Sequence, residues 1–366
     1  MYKITIIAGA RPNFIKIAPI MYALKEAKEK GFNISYRLVH TGQHYDKNMS
    51  DSFFEQLSIP EPNTNLECSG GSQAEQTASI LLAFEKELKI NPADLLIVVG
   101  DVTSTMACTL VAKKNNVKVA HVEGGIRSGD MTMPEEINRI VTDSIADYFF
   151  TTSELANQNL IAEGVDKNQL FLVGNTMIDT LLKNKQRFFK PEIWGNLNLR
   201  LKSYVVLTMH RPANVDAEKN LEAMLNEIIL QTKNLPIIFP AHPRTQRILS
   251  KLNIESNRLH IVEPLSYLEF NYLVKNAKAV ITDSGGITEE ASIMNVPCLT
   301  LRDNTERPET ITLGTNELIG TNPKNLKTYL NKLFDGQWKQ MQSIPFWDGK
   351  TAERIVKVIT NNLIKN

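Results

Sequence analysis

Short apolar runs alternate with longer amphipathic segments along almost the whole chain. Residues 4–8 (Ile-Thr-Ile-Ile-Ala) predict a strand. Residues 15–28 then carry Ile17, Ile20, Met21 and Leu24 at helical spacing. Residues 33–40 predict a second strand, 73–88 a helix, 95–99 a fully buried strand and 103–114 a helix. The first half closes with a strand over 117–122, a helix over 134–145 and a strand over 148–151. Near-continuous apolar strands separated by helices imply a parallel, doubly wound sheet.

The same pattern restarts further on. Residues 204–208, 237–240, 260–262, 279–282 and 298–301 predict strands with helices between them. The grammar lapses between Gly174 and Lys202, around Lys190-Pro191 and the polar stretch 196–202. The expected fold class is therefore α/β, with two Rossmann-like doubly wound domains facing across a cleft. The first spans 1–173 and the second 174–349, with a C-terminal helix over about 350–366. No internal sequence repeat and no low-complexity linker is visible. In such sheets ligands gather beyond the carboxyl ends of the strands, so each polar cluster following a strand is a candidate.

Composition narrows the class. The chain has 366 residues, 42% hydrophobic and 22% charged, as expected of a globular protein with more than one core. Forty-one basic against forty acidic residues leave a net charge of +1, which argues against nucleic-acid partners and a polybasic membrane anchor. Cys68, Cys108 and Cys298 are odd in number and widely spaced, so they fit neither a disulfide framework nor a zinc site. No apolar stretch approaches the roughly 18 residues of a membrane span, and the first strand is too short for a signal-peptide core. A cytoplasmic enzyme without membrane contact is the expectation.

Several clusters follow predicted strands. After the first comes Gly9-Ala10-Arg11-Pro12-Asn13-Phe14-Ile15-Lys16, where Arg11 and Lys16 stand near a helix start. They read either as an anion site or as solvated cations on a surface turn. Gly100-Asp101 follows another strand; taken alone, Asp101 reads best as a helix cap. Glu123, beside Gly124 and Gly125, has no evident packing purpose and points to function. Glu135 opens the next helix, where the helix dipole favours a carboxylate in any case. Arg139 lies four residues on and shares its face.

In the second half, His210-Arg211 at a strand end suits an anion, and His242 is a similar but weaker candidate. Ser284-Gly285-Gly286 follows a strand and opens a helix, a favourable place for phosphate, with Glu290 two turns in. Arg302 and Arg307 add guanidiniums beyond the next strand. No close Asp pair or His/Cys cluster offers a divalent-metal site, so neither metal nor cofactor is expected. A bound diphosphate would be neutralised by Arg, Lys and helix dipoles.

These motifs together carry a resemblance. Residues 9–16, Thr41-Gly-Gln-His-Tyr-Asp46, 100–105, 121–127, 133–139, 174–179, 283–290 and 305–309 resemble, in order, the non-hydrolysing UDP-N-acetylglucosamine 2-epimerases. The likeness runs from residue 3 to about 360. It implies a GT-B-like fold, with the C-terminal helix returning to the first domain. The implied activity is that of an isomerase interconverting UDP-N-acetylglucosamine and UDP-N-acetylmannosamine. The family reaction eliminates UDP to give a 2-acetamidoglucal, then adds UDP back with the proton on the other face. A homodimer serving bacterial surface polysaccharides is likewise implied.

By motif matching, the resemblance makes Asp101, Glu123 and Glu135 the acid/base carboxylates, with His210 nearby and Arg139 orienting Glu135. Arg11, Lys16, Ser284, Gly285, Gly286 and Arg307 match positions that contact UDP. Glu290 matches the ribose ligand, Phe270 the uracil side, and Leu265 serves through its backbone. Some members bind a second substrate molecule as activator at positions matching Gln43, Asp46, Glu135, Arg211 and His242. Asp46 replaces their glutamine and an arginine expected near Ser72 is missing, which argues against such activation. The short link Asp130-Met131-Thr132-Met133-Pro134 also occurs in relatives acting on UDP-2,3-diacetamido glucuronic acid, so that sugar is the alternative substrate. A GT-B glycosyltransferase is the rival class.

Overall fold

The computed structural model describes residues 1–366 except 44–53, 242, 253, 255 and 365–366, and the side chains of 212, 213, 243 and 244. Asp46 and His242 therefore lie outside the described residues. The chain divides into two units, Met1–Lys183 with Pro345–Asn366, and Asn184–Ile344.

The first unit holds a parallel sheet built from β1 (Tyr2–Ala8), β2 (Ile34–His40), β3 (Thr64–Asn65), β4 (Leu95–Val99), β5 (Lys118–Val122), β6 (Tyr148–Thr151) and β7 (Leu170–Leu172). Their spatial order is β3-β2-β1-β4-β5-β6-β7. Successive side chains leave a strand on opposite faces, and here both faces are covered, which is why the strands read as near-continuous apolar runs. On one face Ile7, Val39, Leu96, Val98 and Val119 meet Ile80, Phe84 and Cys108 of the helices Gln73–Ile90 and Thr103–Lys114. On the other, helix Arg11–Glu29 lies over β1, β2 and β4 with Ile17, Ile20 and Leu24 fully buried. The edge strands β3 and β7 are too short to leave a sequence signal.

The unit also takes in helix Thr176–Asn184, up to Lys183, and the C-terminal segment. Asp179 explains the return: its carboxylate accepts from Thr351 N (3.2 Å) and Ala352 N (2.8 Å), the orphan donors at the start of helix Thr351–Val358. That helix then packs on Arg11–Glu29.

The second unit repeats the plan with β8 (Val205–Thr208), β9 (Ile237–Pro240), β10 (Leu259–Val262), β11 (Ala279–Thr282), β12 (Cys298–Thr300) and β13 (Asn316–Leu318). The parallel order is β10-β9-β8-β11-β12-β13. Alternate residues again feed separate cores: Val205, Leu207, Phe239, Ile281 and Leu299 on one face, Tyr204, Val206, Ile238, Val280 and Cys298 on the other. In both units the strand order reverses direction at a central pair, β1/β4 and β8/β11. At such a switch point the following loops diverge and leave a crevice at the strands' carboxyl ends. Among the described residues, no helix is long and apolar enough to cross a membrane.

Candidate active site

In the first unit the turns after β1, β4 and β5 converge. Asn13 ties two of them: its Oδ1 accepts from Gly9 N (3.0 Å) and Ala10 N (2.9 Å), and its Nδ2 donates to Val99 O (3.1 Å). Gly9 must be glycine, because a Cβ there would sit 2.1 Å from Ser104 Oγ. Gln43 closes the same corner by accepting from Ser104 Oγ (2.9 Å). With its neighbours held, helix Arg11–Glu29 turns Lys16 inward rather than to solvent. Lys16 Nζ donates to Glu123 Oε2 at 2.7 Å, with both side chains almost wholly buried. Glu123 has φ +70°, a left-handed conformation a non-glycine residue adopts at a cost, so the turn after β5 is held there by its surroundings.

Asp101 does not cap the following helix, whose N-cap is Val102. Its carboxylate meets Arg139 instead, at 2.6 Å from Nη2 and 3.1 Å from Nε, and its carbonyl accepts from Asn138 Nδ2 at 2.9 Å. The four-residue spacing suggests that Arg139 orients Glu135, but the guanidinium serves other partners: Asp101, and Glu136 at 2.6 Å. The reason is rotational. Helix Pro134–Ile145 buries Glu136, Asn138, Arg139, Thr142 and Asp143, while Glu135 and Ile137 are exposed. Glu136 also accepts from Ser128 and Gly129 N–H groups; burial would raise its carboxyl, but these bonds and Arg139 hold it below the usual range.

A helix that buries charge and exposes isoleucine inverts the ordinary pattern. That inversion shows only in the folded structure, and it marks Glu136, Asn138 and Asp143, none of them nominated from the sequence. Asn13, beside the cations of the 9–16 cluster, carries no signal that sets it apart, and neither does a lone imidazole such as His121 in an apolar run. Arg11 stands half-buried at the first turn of its helix.

The second unit presents a separate cluster. Asp283, completely buried after β11, accepts from the backbone of His210 (3.0 Å) and Arg211 (2.9 Å), from Asn214 Nδ2 (3.1 Å) and from His210 Nδ1 (2.8 Å). Burial alone would raise this carboxyl, but the His210, Arg211 and Asn214 contacts outweigh it and pull it to about 2. The His210 side chain is 57% exposed, so its ring is oriented at Nδ1 while remaining accessible. Arg211 Nε also donates to Asp283 O (3.1 Å).

Helix Gly285–Ile293 starts immediately after, with Ser284 as its N-cap and no acidic residue in its first turn. A Cβ on Gly285 would meet nothing closer than 3.9 Å, so packing does not require glycine there. Glu289 pairs with Arg307, and Arg302 with Glu306 at 2.7 Å, so both guanidiniums are held by carboxylates. Glu290 is buried and accepts from Tyr267 Oη at 2.8 Å. Burial pushes its carboxyl up to about 7, against the hydrogen bonds from Tyr267 and Asn271 and with a further push from Glu289. Leu265 and Phe270 lie half-buried on the adjoining core. Among the described residues, no three His, Cys, Asp or Glu side chains converge on a metal position.

Two doubly wound units, one with buried ion-paired carboxylates and one with an open helix start beside arginines, define an α/β protein of GT-B-like class. The family model described as UDP-N-acetylglucosamine 2-epimerase matches residues 25–360. A UDP-N-acetylglucosamine 2-epimerase of Methanocaldococcus jannaschii is 43% identical, covering 98% of this chain and 99% of the relative. Its crystal structure in complex with UDP-GlcNAc and UDP has a TM-score of 0.89 at 42% identity, covering 98% of this chain and 99% of that one. A UDP-2,3-diacetamido-2,3-dideoxy-D-glucuronate 2-epimerase of Pseudomonas aeruginosa is 38% identical, covering 87% of this chain and 88% of the relative. The chain belongs to the UDP-N-acetylglucosamine 2-epimerase family.

Proposed function

We propose that this protein is a non-hydrolysing epimerase that interconverts UDP-N-acetylglucosamine and UDP-N-acetylmannosamine. The observation that carries the reading is the buried carboxylate of Glu123, held in a left-handed turn by Lys16 beside the Gly100–Asp101 turn. A buried charge of this kind costs stability unless paired, and its placement at strand ends serves chemistry better than packing.

The hydrogen on carbon 2 is weakly acidic, so a positioned base and a stabilised leaving group must act together. The base takes that proton as the C1–O bond to UDP breaks, and the C2–H electron pair becomes the C1=C2 bond of a 2-acetamidoglucal. The return step re-forms C1–O and delivers a proton to the opposite face of C2. Base and acid are drawn from Asp101, Glu123 and Glu135. Arg139 aims the Asp101 carboxylate, and Lys16 aims that of Glu123. In the second unit the diphosphate is taken by the N–H groups at Ser284, Gly285 and Gly286 with Arg307 and His210. Glu290 takes the ribose, and Leu265 and Phe270 take the base.

Incubation with UDP-N-acetylglucosamine in heavy water tests this. Deuterium at carbon 2 of intact UDP-sugars is expected. Release of free N-acetylmannosamine with UDP as the main product would overturn the non-hydrolysing assignment, and no exchange would overturn the epimerase reading. The Pseudomonas relative favours a second substrate, UDP-2,3-diacetamido-2,3-dideoxyglucuronate; a larger kcat/KM on that sugar would shift the assignment to it. A homodimer is proposed with the family reading, and a solution mass near the 41.2 kDa of one chain would remove it.

A further inference from the structure

The Gly100–Asp101 turn rests on a third support besides Asn138 and Arg139. His121 lies on β5 with its ring completely buried, in a strand whose other buried residues, Val119, Ala120 and Val122, are apolar. Its Nε2 is 2.8 Å from the Gly100 carbonyl, and its Nδ1 is 2.6 Å from Asp143 Oδ1. A carbonyl only accepts, so Nε2 donates. Asp143 accepts as well: burial would raise its carboxyl, but His121, Arg127 and the Gly125 N–H hold it below the usual range. Its second oxygen receives Arg127 Nη1 at 2.7 Å and Gly125 N at 3.0 Å.

We propose that His121 is a positioning residue for Asp101, acting through the Gly100 carbonyl. The proposal rests on the reading of Asp101 as an acid/base group. A leucine or phenylalanine would fill this strand position at no polar cost, whereas a buried imidazole is tolerated only when its nitrogens are bonded. The bond it makes is to the residue preceding Asp101, where the chain is left-handed at φ +68°. Gly100 N donates to Val122 O at 3.0 Å, so the residue is held through both its N–H and its carbonyl by the β5 end. Asp143 belongs to the same helix as Asn138 and Arg139, which hold the Asp101 carbonyl and carboxylate. The ring therefore closes a loop: turn to β5, β5 to helix, helix back to the Asp101 side chain. Removing one link frees the turn to rotate and moves the carboxylate off its line.

Two substitutions separate positioning from packing. His121→Gln reaches the place of Nε2 and keeps a donor for Gly100 O; His121→Asn reaches the place of Nδ1 and keeps only the Asp143 bond. Both lose one buried hydrogen bond, so both should lower Tm similarly. For carbon-2 deuterium exchange, the Asn variant should lose about 10- to 100-fold in kcat at near-parental KM, and the Gln variant only about threefold. Equal kcat losses, or losses that simply follow Tm, would overturn the proposal. Where both variants fail to fold, Asp143→Asn loosens the ring from its far side, and a parental kcat there would overturn it equally. Asp101→Asn run alongside separates the two levels. Full exchange in that variant would sink the functional reading, whereas its inactivity with equal Asn and Gln variants at 121 would sink only this proposal.

Discussion

Glu290→Gln should stabilise the protein and weaken UDP binding at the same time. Glu290 is buried, and its carboxyl stands at about 7 instead of the usual 4.5. The folded chain thus prefers the neutral acid, and ionising it there costs stability that the unfolded chain does not lose. That cost develops as pH rises from 4.5 toward 7 and stands in full above 7. The gap is worth on the order of 3 kcal/mol at pH 8, and only about 1 kcal/mol at pH 5. Glutamine keeps the shape and an oxygen for Tyr267 Oη but never ionises, so urea melts should show a gain of that order at pH 8 that mostly vanishes at pH 5. In calorimetry the same variant should bind UDP about tenfold or more weakly, because the proposed ribose role needs a charged acceptor there. Stability gained where affinity is lost is the signature of a residue kept for function. An unchanged or lower stability at pH 8, or equal gains at both pH values, would refute the reasoning.

Asp101→Asn should lower kcat for carbon-2 exchange by roughly 100- to 10,000-fold while UDP affinity by calorimetry stays parental; retained exchange removes Asp101 from the chemistry. Asp283 stands at about 2 rather than 3.8, so the stability it supplies is complete above 3.8 and lost as pH falls toward 2. Asp283→Asn should therefore cost on the order of 2 kcal/mol at pH 7 and flatten the stability slope between pH 4 and 2 in urea melts. Lys16→Met removes the ammonium that pairs with the buried Glu123 carboxylate and should cost about 3–5 kcal/mol. Adding Glu123→Gln should recover much of that loss, and strictly additive effects would argue against the pair.

The sequence by itself determined the alternation of strands and helices, and with it two parallel, doubly wound sheets. Strands in a sheet covered on both faces are largely apolar, and that leaves an unmistakable local trace in runs such as 95–99 and 279–282. It also singled out candidates, because loops leaving such strands are where polar clusters accumulate; Asp101, Glu123 and the turn at 284–286 stood out on that ground, whereas Asp283 did not. The short edge strands β3, β7 and β13 left no trace, having too few residues to show a period. Pairing was decided only by the tertiary structure. Whether Arg139 faces Glu135 or Glu136 depends on the rotation of one helix about its axis, which spacing leaves open because i+3 and i+4 neighbours are equally near. Lys16 and Glu123 are 107 positions apart, and Asp283 and His210 are 73 apart. Contacts at such separations follow from strand order at the switch points, and no local pattern in the chain encodes them.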